Sequence, residues 1–294
     1  MNIIQIFNKF PTQESCVKHL ELTRWGIEPV CTYCGSTNTN PLVQESRYRH
    51  HCNGCRKSFS VTVGTIFHGT HIPLQKWFLL ISLMLNAKKG LSACQAARDI
   101  ELRRPTVWSM MHRIRKAMQD NGPLLTGIVE MDETYVGSKP RKSNDKDDDT
   151  NNTGSTRGRG TKKTPVVGMV EREGSVKAQS VSKHELKSKD LEPLVRKNID
   201  TDNSVLVTDE YKVYNNMHKI IEHFSINHSR EYVRGNIHTN TIESFLAIVK
   251  RGIIGQYHKV SKQYLDAYLD EFCYRYNERN NENIFDMLLV NCVR

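Results

Sequence analysis

Val129-Glu130-Met131-Asp132-Glu133-Thr134-Tyr135-Val136 is the stretch on which the reading of this chain turns. Its β-branched, aromatic and apolar residues describe a strand. Three carboxylates sit inside it, and there they cost free energy unless each meets a metal or a hydrogen-bond donor. Downstream the pattern continues with strands near 164–172, 175–182, 204–208 and 220–227, and helices near 187–198, 241–251 and 261–278. Within VVGMVEREGSVKAQSV, the break at Gly174 between two alternating runs predicts a hairpin. Residues 138–163 hold Lys, Arg, Asp, Asn, Gly and Thr with almost nothing apolar, which predicts a mobile polar insertion on the first strand-to-strand connection.

Two further acidic sites follow. Val205-Leu206-Val207-Thr208-Asp209-Glu210 is an apolar strand that ends in acid, and Asn240-Thr241-Ile242-Glu243 opens a helix running to Lys250 and Arg251. Asp132, Asp209 and Glu243 together would make a three-carboxylate site of hard oxygen ligands suited to Mg²⁺ or Mn²⁺. Such a site activates a water or 3′-hydroxyl and stabilises the leaving oxygen of a phosphodiester. Lys250, seven residues after Glu243, shares its helix face, and with Arg251 it would hold a DNA phosphate. Alternatives stay open here: Glu133 or Glu210 could replace a neighbouring acid, Asn240 could be the third metal-facing side chain, and Asn240-x-x-Glu243 also fits a capping box.

Upstream, Cys31-x2-Cys34, 17 residues, then Cys52-x2-Cys55 is the strongest single motif. Two such knuckles place four thiolates around one Zn²⁺, with Phe59 and Val61 in a following strand pattern. His50 and His51 are substitute ligands that the paired knuckles make unnecessary, and Cys16, Cys94, Cys273 and Cys292 have the spacing of ordinary thiols. Residues 1–30 read as a helical lead-in, and 72–120 as helical, with Trp77, Leu80, Ile81 and Met84 on one stripe. Residues 91–118 resemble a helix-turn-helix: a short helix, a turn around Ile100–Arg104, then a second helix opened by Pro105. Arg103, Arg104, Arg113, Arg115 and Lys116 would supply its phosphate or base contacts.

The chain has 294 residues and a net charge of +10, which favours a polyanionic partner. No apolar run approaches the roughly 18 residues that span a bilayer. The opening MNIIQIFNKF lacks the marks of a signal peptide. The expectation is a cytoplasmic, nucleoid-associated protein with no membrane contact, in which cysteines bind metal.

MDETYVG, TDEYKVY, HTNTIESFLAIVKRGIIGQYHKVS and YLDEFCYRYNER, in that order, resemble the DDE-type transposases of small bacterial insertion sequences, the zinc-ribbon group related to Merlin elements. The resemblance runs from about residue 10 to the C-terminus. It implies an RNase H-like (DDE integrase) mixed α/β core in an α+β multidomain chain, with Asp132, Asp209 and Glu243 as the triad; the 33 residues between the last two are similar to that superfamily's spacing. The implied organisation is 1–68 with the ribbon at 31–55, a helical DNA-binding module at 69–122, and a catalytic domain at 123–294. The implied activity is metal-dependent cleavage at element ends and strand transfer into target DNA, with the terminal inverted repeats, target DNA and at least a second copy as partners. Competing readings are an inactive DNA-binding regulator built on a transposase, and a metal-dependent nuclease or junction resolvase on the same fold.

Overall fold

The structure is a computed structural model that describes residues 1–42, 48–119, 122–137, 163–182, 186, 188–226 and 237–294. The polar insertion expected at 138–163 falls, but for its last position, outside the described residues. The chain divides into two compact units, Met1–Gln119 with Glu278–Arg294, and Asp120–Asn277.

In the first unit, helices α1 (Ile3–Lys9) and α2 (Gln13–Trp25) lead into a ribbon of three short strands, β1 (Thr39–Pro41), β2 (His50–Cys52) and β3 (Ser58–Phe59), joined antiparallel in that order. Helices α3 (Leu74–Asn86), α4 (Ala93–Asp99) and α5 (Arg104–Ala117) follow. Asn2 and Thr12 cap α1 and α2 through capping boxes, and Ser92 caps α4. Trp77, Leu80, Ile81 and Met84 are all buried, as the stripe predicts. The turn between α4 and α5 passes through Glu101 at φ 52°, and Pro105 sits in the first turn of α5.

The last helix, α9 (Ile284–Val293), completes this unit and not the one that precedes it in sequence. The ring of Phe285 lies 5.8 Å from Phe78 and 6.1 Å from Phe10, and Asp286 pairs with Lys9 at 3.2 Å and His19 at 3.1 Å. The sequence reading ran the catalytic domain to residue 294, whereas the apolar face of α9 finds its burial among N-terminal helices.

The second unit is built on a five-stranded sheet of β4 (Leu125–Val136), β5 (Thr164–Glu171), β6 (Val176–Ser180), β7 (Ile199–Asp209) and β8 (Glu222–Ile226). The spatial order is β6-β5-β4-β7-β8. β4, β5 and β6 run antiparallel, while β7 and β8 run parallel to β4 and to each other. This is an RNase H-like sheet, with helix α6 (Ser188–Asn198) forming the crossover into β7. Flanked on both sides, β5 is buried along PVVGMV.

Each face of the sheet carries its own core. Val129, Met131, Val167, Met169 and Leu206 pack with Leu191, Leu194 and Val195 of α6. On the opposite face Val136, Val166, Val170 and Val176 pack under α7 (Asn240–Gly252) and α8 (Lys262–Asn277), through Ile242, Phe245, Leu246, Leu265 and Leu269. A π-helical turn, Ile253–Tyr257, extends α7. In the β5–β6 hairpin the left-handed residue is Glu173, at φ 61°, and not Gly174; a Cβ on Gly174 would lie 2.6 Å from the Glu171 side chain, which would have to turn aside.

Gly168 sets how closely α7 approaches the sheet. It pairs with Asp132, and a Cβ on it would lie 2.8 Å from Ile242 Cδ1 and 3.2 Å from Leu246 Cδ2. Gly168→Val is therefore expected to destabilise the protein by about 1–3 kcal/mol through overpacking. Gly168→Ala should cost less, because Ile242 Cδ1 is the movable end of its side chain. Urea melts of both variants check the ordering; equal stability of Val, Ala and Gly at 168 would contradict it.

Candidate active site and metal centre

The pleat of β4 sorts its acids. Glu130, Asp132 and Thr134 point toward the α7 face, and Glu133 points the other way. Paired residues Glu130 and Val207 are the last described partners of the parallel β4–β7 ladder, and Asp132 and Asp209 lie two residues further along their strands, level with each other. Glu243 stands in the first turn of α7, over the same face, and is exposed. Asp132, partly buried, has its carboxyl pushed up to about 7: desolvation is the main cause, the charge of Glu133 adds to it, the Glu133 amide opposes it, and Asp209 and Glu243 raise it further. The three sequence-predicted acids thus share one face and one electrostatic neighbourhood, but their carboxylate oxygens do not converge as closely as the four ribbon sulfurs described below. Asp209 Oδ1 accepts from the Tyr211 amide at 3.0 Å, and Glu243 Oε1 accepts from Thr239 Oγ1 at 2.8 Å.

The alternatives separate by geometry. Glu133 is turned to the opposite face, where its Oε2 accepts from the buried Tyr214 hydroxyl at 2.6 Å. Burial, with the Glu133 charge, holds that phenol well above its ordinary range, so it stays a donor. Glu210 is exposed beyond the end of β7. Asn240 is the exposed first residue of α7, whose N-cap is Thr239. The capping box of Asn240 and Glu243 does not form, and no side chain of the N-cap bonds the helix amides.

Sequence reasoning gave Glu130 no role of its own. It is 0% exposed, pairs with Arg172 Nε at 2.7 Å, and accepts from the Thr241 and Ile242 amides at 2.8 and 3.1 Å. Its parity with Asp132 was visible in the strand, whereas its partners lie 42 to 112 residues away.

The basic residues also divide. Arg103, Arg104 and Lys116 are exposed, as are Lys250 and Arg251. Arg113 is only partly exposed: its guanidinium donates to the His68 carbonyl at 2.8 Å and lies 5.3 Å from the Trp77 ring. Arg115 is 1% exposed, so it is corrected from a surface contact to an interior residue. Its position follows from spacing, since 107, 111, 115 and 118 form one helical stripe with buried Val107, Met111 and Met118. Arg275 likewise turns inward to Glu271, and Tyr276 meets Phe245 edge-on at 5.4 Å.

In the ribbon, the sulfurs of Cys31, Cys34, Cys52 and Cys55 all lie within 4.8 Å of one another, the one such group of three or more His, Cys, Asp or Glu among the described residues. Two of the separations are 3.7 Å (Cys31–Cys55) and 3.6 Å (Cys34–Cys52). Tetrahedral zinc with Zn–S bonds of about 2.3 Å requires sulfurs about 3.8 Å apart, so the cage fits zinc. The Cys55 backbone amide, the main influence, draws the Cys52 thiol down, while the neighbouring Cys34 thiol is pushed up. His50 is no ligand: its Nε2 meets Glu21 at 2.8 Å, and its ring lies 5.6 Å from both Trp25 and Phe59. Of the other cysteines, Cys16, Cys273 and Cys292 are buried and Cys94 is exposed.

Residues 124–277 match the ISXO2-like transposase domain, and residues 11–58 match the transposase zinc-ribbon domain. The chain belongs to the ISXO2-like transposase family. The transposase is also similar, at 27% identity over 251 residues covering 82% of this chain and 83% of the relative, to an uncharacterized protein in transposable element ISH50 of Halobacterium salinarum. Among solved structures it shows similarity to a pre-cleavage Mos1 transpososome, with TM-score 0.26 and 12% identity over 72% of this chain and 78% of that one. A Mos1 transposase paired-end complex with left transposon end gives TM-score 0.28 and 13% identity over 73% and 78%. No helix among the described residues is long and apolar enough to cross a membrane.

Two outcomes follow for this transposase. Chelation of its zinc, or Cys52→Ser, should release one zinc per chain and abolish amide-exchange protection at His50–Cys52, because the ribbon core besides the cysteines holds little more than Trp25, Phe59 and Val63. Protection that survives metal removal would exclude a metal-built ribbon. Asp132→Asn, in the absence of divalent cations, should raise the melting temperature at pH 8 by a few degrees, about 1–2 kcal/mol. The folded-state pKa of this acid is raised, so the wild-type chain loses stability as pH rises through about 7, and the gain on substitution shrinks as pH falls toward the unfolded value. Thermal melts across pH 4 to 8 check it; a destabilised variant at pH 8 would contradict it.

Proposed function

We propose that this chain is a DDE-type transposase that cleaves DNA at the ends of its element and joins the exposed 3′-hydroxyls to target DNA. The observation that carries the reading is the gathering of Asp132, Asp209 and Glu243 over one face of the RNase H-like sheet, inside the segment that matches the transposase domain. The donor set suits Mg²⁺ or Mn²⁺: hard carboxylate oxygens, with Asp132 pushed up to about 7 chiefly by burial and the neighbouring acids adding to it. When bound there, such a cation polarises a water or 3′-hydroxyl and stabilises the leaving oxygen of the phosphodiester.

The chain's own residues supply holding and orientation. Asp132 and Asp209, on adjacent parallel strands, form the rigid side of the site, and Glu243 closes it from α7. Lys250 and Arg251, exposed in the last turn of α7, are placed by the helix repeat to hold a DNA phosphate on the side of Glu243. Of the basic residues expected to contact DNA from this helical module, Arg103, Arg104 and Lys116 are exposed and would meet a duplex. Joining two ends requires them to be held together, so a dimer or larger assembly on DNA is part of the proposal.

Purified protein is incubated with a labelled end fragment of its element, a target plasmid, and Mg²⁺ or Mn²⁺. Joined product should form, and Asp209→Ala should lower its rate by roughly 10³-fold, the several kcal/mol a bound metal contributes, while end binding persists. End binding without cleavage or joining by the wild-type chain would favour a DNA-binding regulator, and cleavage without joining would favour a nuclease.

A further inference from the structure

We infer that Glu130 is a positioning residue that clamps the first turn of α7 to β4 and so fixes Glu243 relative to Asp132. The inference rests on the catalytic reading above and deepens it. Glu130 is fully buried, two residues before Asp132 on the same strand face. Its Oε2 accepts from the backbone amides of Thr241 at 2.8 Å and Ile242 at 3.1 Å, which are first-turn amides of α7. Its Oε1 accepts from Thr241 Oγ1 at 3.0 Å and Arg172 Nε at 2.7 Å; His238 Nδ1 lies 3.3 Å away without hydrogen-bonding to it.

Those amides belong to the set that a helix leaves without intrahelical partners. An N-cap side chain ordinarily satisfies them. In α7 the N-cap, Thr239, makes no such bond, and its hydroxyl instead donates to Glu243. Glu130 therefore does from the sheet what a cap does from within the helix, and a negative charge at a helix N-terminus is favourable in itself. Arg172 extends the clamp: its guanidinium also donates to the His238 carbonyl at 2.9 Å, and its amide donates to the Ile128 carbonyl at 3.0 Å. β4, the β5–β6 turn and the approach to α7 are thus tied at one buried carboxylate. Glu243 follows the clamped Ile242 directly, so the fixed points of the site lie within two residues of Glu130 on one side and one residue beyond the clamped amides on the other.

Removing Glu130 alone would leave Arg172 without its buried partner and could unfold the chain. The decisive variant is the pair Glu130→Met with Arg172→Met, which keeps volume and removes both charges but leaves the α7 amides without an acceptor. Glu130→Gln with Arg172→Met is the complement, since the amide oxygen can still accept from the Thr241 and Ile242 amides and its NH2 no longer faces a guanidinium. Mn²⁺ binding to the full-length, zinc-loaded chain is followed by electron paramagnetic resonance of free Mn²⁺. Amide exchange at Thr241 and Ile242, and joining rate at saturating DNA, are measured on the same samples.

The methionine pair is expected to fold and to bind Mn²⁺ about 10–100-fold more weakly, as loss of an outer support to a metal site does. Its joining should slow in parallel, its first-turn exchange should accelerate, and its affinity for end DNA should hold. Glu130→Gln with Arg172→Met should recover most of the Mn²⁺ affinity and protection. A folded methionine pair with wild-type Mn²⁺ affinity, or a Gln variant as weak as the methionine pair, overturns the clamp. If wild-type Mn²⁺ binding is itself insensitive to Asp209→Ala, the catalytic reading fails first and the clamp with it; if it is sensitive while the methionine pair binds normally, the clamp alone fails.

Discussion

A carboxylate inside an apolar strand must be compensated, and β4 holds three of them between positions 130 and 133. Each is answered differently. Glu130 is met by two helix amides, a threonine hydroxyl and a guanidinium, and so sits fully buried as an anion's acceptor set would require. Glu133, on the other face, is met by the Tyr214 hydroxyl. Asp132 accepts one backbone amide, and burial, with the charges of Glu133, Asp209 and Glu243, pushes its carboxyl up. Two of the three carboxylates are thus answered by donors of the chain itself, and the third, Asp132, carries the raised pKa that marks a functional-site candidate.

The packing around that position follows from the same strand. Gly168, opposite Asp132, removes a side chain where α7 crosses the sheet, and Ile242 and Leu246 fill the space. A helix that close brings its first turn to the level of the acids, and Glu130 holds it there. The apolar contact sets how near α7 comes, and the buried carboxylate sets where along the sheet it starts. Neither acts alone: dispersion contacts along Ile242, Phe245, Leu246 and Val249 would tolerate some sliding, whereas two directed amide bonds do not.

The ribbon answers a different constraint. Its strands are two or three residues long and its core is small, so hydrophobic burial cannot hold it. Four sulfurs at the separations zinc requires take that part. His50, which sequence alone leaves as a spare ligand, is used in the small aromatic core with Trp25 and Phe59 and in a pair with Glu21.

By itself the sequence determined the succession of strands and helices from β4 to α8, the two cysteine knuckles and the order of the acidic sites. Those are properties of period and spacing, set within a few residues of chain. The strand read through Val129–Val136 spans Leu125–Val136, that predicted near 204–208 begins earlier and spans Ile199–Asp209, and the predicted helix at 241–251 spans Asn240–Gly252. Tertiary structure alone decided which donor each carboxylate meets, that Thr239 and not Asn240 is the cap of α7, that Arg113 bonds the His68 carbonyl, and that α9 joins the N-terminal helices. Those outcomes depend on partners far away in the chain, 111 residues for Glu130 and Thr241 and 277 for Lys9 and Asp286, and no local pattern carries the identity of a group that arrives through space.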